Sequence, residues 1–209
     1  GATEELDLDD TIKSTARNAG LLDIKMVPER HNAVKVLLFL DVGGSMDPHV
    51  KVCEELFSAA RTEFKHLEYF YFHNFVYESV WKNNIRRFNE RTSTLDLMHK
   101  YAHDYKVVFV GDACEEGRDY LSSLAGQCGI RKLPLFLFQE GHDAQTRAIF
   151  KELARLSGGA TIPFDAGSAE RLRMLLRAVA NFARGGIKAL QKGGDEGERL
   201  LLEALQNKS

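Results

Sequence analysis

The chain has 209 residues, room for one sizeable domain or two small ones, and its 44 % hydrophobic and 28 % charged residues are the composition of a folded globular chain rather than a disordered one. Against 30 Asp and Glu stand 28 Lys and Arg, a formal charge of -2, which leaves no basic excess to neutralise a phosphate backbone and excludes general nucleic-acid binding. Cys53, Cys114 and Cys128 are odd in number, far apart and without a C-x-x-C pair, so neither a disulfide framework nor a structural zinc site is expected, and a reducing cytoplasm suits them.

In chain order, residues 1–30 read as an N-terminal extension, with a weak helix through Ile12, Ala16 and Ala19 and a short strand at 22–27 ahead of Pro28. Residues 34–40 (Val-Lys-Val-Leu-Leu-Phe-Leu) are almost continuously apolar, as a central strand covered on both faces should be. Cys53, Leu56, Phe57, Ala60 and Phe64 then fall at helical spacing. Strands at 68–73 and 75–81 follow with so short a link that they must pair antiparallel, since a parallel crossover needs about a dozen residues.

A polar loop at 82–93 leads to a short helix carrying Leu95, Met98, Tyr101 and Ala102. Strands at 106–111, 133–138 and 160–164 alternate with helices striped by Tyr120, Leu121, Leu124 and Ala125 and by Ile149, Leu153 and Leu156. Ser168 is placed to cap a helix bearing Leu172, Leu175, Leu176, Val179 and Phe182. Five glycines between 184 and 197 suggest a linker before a short Leu-rich helix at 200–205. The expected fold is therefore α/β, three-layer and doubly wound, with a mainly parallel six-stranded sheet and one antiparallel edge strand. Residues 31–184 form the domain and 185–209 a Gly-rich linker and C-terminal helix. No apolar run approaches the roughly 20 residues of a membrane helix and the acidic N-terminus is no signal peptide, so a soluble cytoplasmic protein with no membrane partner is expected.

Ligands of open parallel sheets bind beyond the carboxyl ends of the strands. The first core strand runs into Asp41-Val-Gly-Gly-Ser-Met46, the fourth into Gly111-Asp112-Ala-Cys-Glu-Glu116, and Arg91-Thr-Ser-Thr94 leads a helix between them. Two carboxylates with serine and threonine hydroxyls are hard oxygen donors, suited to a cation such as Mg2+ that takes one or two carboxylates and keeps several waters.

This set resembles the von Willebrand factor A domain and its metal-ion-dependent adhesion site, Asp-x-Ser-x-Ser with a distant Thr and Asp, over residues of about 34 to 183. The resemblance implies that Asp41 reaches Mg2+ or Mn2+ through water, that Ser45 ligates it by its hydroxyl, and that Thr92 and Asp112 complete the set. Gly43 stands where the family has its first serine, removing one hydroxyl. Residues 18–30, 41–49 and 65–74 resemble the bacterial CoxE-like branch. That likeness implies a cytoplasmic accessory to a MoxR-type AAA+ ATPase in metalloenzyme maturation, a non-enzymatic module whose metal is completed by an acidic residue of a protein partner. Residues 138–141, 155–159 and 164–170 resemble a different bacterial group of these domains, which implies a chain joined from two relatives, as in an engineered chimera, with its seam at 106–112.

Two other functions compete with this one. A metal-free scaffold would retain the fold with a site degenerate through Gly43. A phosphoryl-transfer enzyme would use Asp41 as nucleophile, but Gly43 leaves no second carboxylate two residues on and no phosphate-binding Gly-rich sequence occurs.

Plainer readings accompany several residues. Asp41 to Ser45 also suits a strand-to-helix turn, and Glu115 and Glu116 suit a helix start. His99 and His103 share a helix face without a third zinc ligand, and Cys114 has no identifiable base beside it. Cys53 and Cys128 sit on apolar stripes as small core residues, the aromatic run 69–72 suits a buried strand, and Arg86, Arg87 and Arg91 suit a solvated loop.

Overall fold

The structure is a computed structural model that describes residues 4–6, 8–19, 21–28, 34–41, 64, 66–72, 79–81, 91–101, 105–164 and 169–207. They fall into two units, Gly1–Ala33 and Val34–Ser209. The helix expected at 50–64, apart from the buried Phe64, and the cap expected from Ser168 lie outside the described residues.

In the first unit, strands β1 (Glu4–Leu6) and β2 (Met26–Pro28) pair antiparallel around helix α1 (Leu8–Arg17). The returning segment is tied to α1 by hydroxyls spaced one helical turn apart. Lys25 N–H donates to Thr11 Oγ1 at 2.9 Å, Asp23 N–H to Thr15 Oγ1 at 3.1 Å, and the Ser14 hydroxyl to Asp23 Oδ2 at 2.6 Å. These bonds stand where apolar packing would otherwise be, and Ile12, Leu21, Leu22 and Ile24 are exposed.

The second unit is built on a seven-stranded sheet of order β6-β5-β4-β3-β7-β8-β9. Its strands are β3 (Lys35–Asp41), β4 (His66–Phe72), β5 (Ser79–Trp81), β6 (Arg91–Ser93), β7 (Tyr105–Gly111), β8 (Leu135–Glu140) and β9 (Ala160–Phe164). Five of them, β4-β3-β7-β8-β9, run parallel, and β5 pairs antiparallel with both β4 and β6. The expected α/β class and parallel core are as observed. The sheet has one strand more than expected, because Arg91–Ser93 forms its edge, so the antiparallel strand lies one place in. Three polar residues on an edge carry no apolar alternation to betray them.

Strand alternation divides the core cleanly into two layers. Val36, Leu38, Leu40, Val108, Val110, Phe136 and Phe138 point to one face, where α5 (Ala169–Gly193) and α6 (Glu196–Gln206) cover them with Leu172, Leu176, Val179 and Leu201. Leu37, Phe39, Val107, Phe109, Leu135 and Leu137 point to the other, under α2 (Thr94–Tyr101), α3 (Arg118–Ile130) and α4 (Ala144–Ser157). Phe39 and Phe109 stack at 4.7 Å between ring centroids. Each fully buried Leu or Phe of this kind contributes about 1.5–3 kcal/mol.

Of residues 185–209, expected as a linker and helix outside the domain, the described part, 185–207, instead completes one layer. Helix α5 runs on to Gly193 with a break at Gly186 (φ 63°, ψ -154°), a conformation open to glycine and strained for other residues. Beyond the break Leu190 is buried, and on α6 so are Leu201 and Leu205. Asp195 and Glu198 form a capping box that starts α6. The nearly buried Glu198 carboxylate also accepts from the Asn181 side-chain amide at 2.5 Å, tying α6 to α5. Glycines that looked like linker thus serve a helical hairpin.

Candidate functional site

From β3 the chain moves to β4, β5 and β6 on one side and then returns to β7 on the other. The carboxyl ends of β3 and β7 are therefore the topological switch point of the sheet, where its crevice opens. Asp41 is the last residue of β3 and lies in register with Phe72 of β4. On the other side Leu40 pairs with Val110, which puts Gly111 level with Asp41 and Asp112 one residue further out. Neighbouring strands are about 4.8 Å apart, so the two acidic positions come together at the crevice from 71 residues apart in sequence. Asp112 is exposed there. For Asp41 the backbone alone is described, and Gly43 and Ser45 lie outside the described residues.

Thr92 is placed differently. It sits in edge strand β6, opposite Val80, with β5 and β4 between it and β3, roughly 14 Å across the sheet at the usual strand spacing. The strand register thus sets the backbone positions of Asp41 and Asp112 at neighbouring strand ends and puts Thr92 on a far edge. Ser93 caps α2 by accepting from Asp96 N–H at 3.3 Å. Thr94 is fully buried, and its hydroxyl has no hydrogen-bond partner among the described residues.

Behind Asp112 lies a buried polar frame that the sequence pattern did not single out. The Thr146 hydroxyl, 1 % exposed, donates to the Ala113 carbonyl at 3.0 Å and accepts from Ala113 N–H at 3.2 Å. Thr146 N–H in turn donates to Asp143 Oδ2 at 2.6 Å, making Asp143 the cap of α4. This bond holds the Asp143 carboxyl below the usual carboxylate range. Gln139, buried at the end of β8 and in register with Gly111, donates from its side-chain amide to the Asp143 carbonyl at 2.9 Å. The one local signal was Asp143 three residues before Thr146, a capping pattern.

The rim beside Asp112 is charged but internally paired. Glu115 lies in a 3-10 turn, Glu115–Gly117, and accepts from Arg118 at 2.9 Å, while Arg118 also donates twice to Glu152, at 2.9 and 2.6 Å. Contact with Glu115 first and Glu152 second raises the Arg118 pKa, and Arg118 holds the Glu152 carboxyl low. Cys128 is buried, and burial pushes its thiol up to about 11, as suits a core residue rather than a nucleophile. Cys114 is half-buried. Phe70 and Phe72 are buried on one face of β4, with Tyr69 and Tyr71 partly buried against the other, which accounts for the aromatic run by packing. His99 is exposed, and His103, Cys53, Arg86 and Arg87 lie outside the described residues.

Two carboxylates are hard oxygen donors, whose chemistry suits a hard divalent cation. Among the described residues no group of three or more His, Cys, Asp and Glu converges. Fold and site together define a Rossmann-like, three-layer α/β domain with an acidic switch point. No family model, curated protein or solved structure matches the chain. Among the described residues no helix is long and apolar enough to cross a membrane.

Proposed function

We propose that this domain is a non-enzymatic, divalent-cation-dependent protein-binding module. The observation that carries the reading is the meeting of Asp41 and Asp112 at the carboxyl ends of the two strands that flank the switch point. Asp41, Ser45 and Asp112 would hold Mg2+ or Mn2+. Thr92, the fourth residue of the resemblance, is left out of this set because β5 and β4 stand between its strand and β3. The bound cation supplies an incompletely neutralised positive charge. An aspartate or glutamate of a partner protein gains a charge-assisted contact with that charge while the surrounding loops supply shape specificity. The CoxE-like resemblance supports a cytoplasmic MoxR-type AAA+ ATPase as that partner.

Calorimetric titration with Mg2+ tests the site. Heat of binding is expected in the parent, stronger in Gly43→Ser, which restores the missing hydroxyl, and lost in Asp112→Ala. Thr92→Ala should change the affinity by less than about twofold, since its strand is three places away. A second reading, the metal-free scaffold, is favoured by Gly43 itself. Silence in the parent with clear heat in Gly43→Ser would establish it.

A further inference from the structure

We infer that Thr146 is a positioning residue for Asp112, one that sets where the acidic side chain stands in the crevice. The inference rests on the reading of Asp112 as a cation holder. Asp112 follows the last residue of β7, and the residue after it, Ala113, is 6 % exposed. Both backbone polar groups of Ala113 are satisfied by one side chain, the Thr146 hydroxyl, which lies 33 residues on in sequence. The dihedrals that aim Asp112 are therefore fixed at their C-terminal side by a contact from another element.

That contact is itself rigid. Thr146 is β-branched, with a stiff χ1, and its amide is bonded to Asp143 Oδ2 in the first turn of α4. The Asp143 carbonyl accepts from the buried Gln139 of β8. Asp112 is thus referred through Ala113, Thr146 and Asp143 to the neighbouring parallel strand, so the acid is indexed to the sheet and not to a loop. Removing the hydroxyl leaves the Ala113 N–H and C=O buried without partners, and the turn carrying Asp112 must move to satisfy them. Supporting contacts of this kind typically cost ten- to hundredfold in metal affinity when lost.

The test compares Thr146→Val, which removes the hydroxyl at nearly constant volume, with Thr146→Ser, which keeps it, and with Leu205→Ala, a destabilising change on α6. Two readouts are taken on the full chain. Without metal, scalar couplings give the backbone and χ1 dihedrals of Asp112. With Mg2+ alone as the probe, calorimetry gives its affinity. Thr146→Val is expected to redistribute the Asp112 χ1 rotamers and to weaken Mg2+ by about tenfold or more. Thr146→Ser should restore both, and Leu205→Ala should move neither despite its lower melting temperature. Unchanged Asp112 dihedrals in Thr146→Val overturn the inference. If the parent binds no Mg2+ while the dihedrals do change, the cation reading falls and the positioning role stands.

Discussion

Gly159 shows how a single position can be decided by a neighbour distant in sequence. A Cβ built there would lie 1.8 Å from the Leu135 carbonyl oxygen, backbone that cannot swing aside. The same corner is tied by Ser157, whose hydroxyl accepts from Leu135 N–H at 3.2 Å. Gly159→Ala should therefore push β9 from β8 and cost about 2–3 kcal/mol, read as a lowered urea midpoint. Nothing local in the sequence foretells the close approach, because Leu135 is 24 residues away. Asp143 offers a pH test. Its carboxyl is held low by Thr146, so its contribution is present above the unfolded carboxylate range, near 3.9, and is lost as the pH falls through its lower folded value. The gap in melting temperature between the parent and Asp143→Ala should be full at about pH 7 and narrow progressively between about pH 5 and 2; a gap independent of pH would show that the cap acts without its charge.

At the scale of elements, the strongest apolar segments were legible and the weakest were not. β3, β7 and β8 declared themselves as near-continuous apolar runs, since each is covered on both faces. β6 is three residues of polar edge, held by pairing with β5, and nothing local distinguishes it from a loop. The C-terminal hairpin departs from its linker-like sequence for the opposite reason: its glycines are punctuation within a helical layer. Leu201 decides the matter experimentally. It is completely buried, so Leu201→Ala should cost about 2–5 kcal/mol in chemical denaturation, whereas a leucine on an outlying helix would change stability by no more than about 0.5 kcal/mol.

For the whole molecule, the consequence of the topology is a crevice where two acidic strand ends meet. If that crevice holds a cation in the native state alone, Mg2+ stabilises the fold by mass action, about 2.7 kcal/mol at a hundredfold excess over Kd. Thermal unfolding should then shift upward with Mg2+ in the parent and stay still in Asp112→Ala; equal shifts in both would point to a cation bound elsewhere. By itself the sequence determined the α/β class, the parallel core strands and the placing of Asp41 and Asp112 at strand ends, because apolar periodicity and turn chemistry are local. Only the tertiary structure decided that those two ends are neighbours, that Thr92 stands on a far edge, that Thr146 bonds the backbone of Ala113, and that residues 185–207 pack on the core. Each of these depends on pairing between segments tens of residues apart, and strand order and register are set by the packing of the whole sheet and its two helical layers.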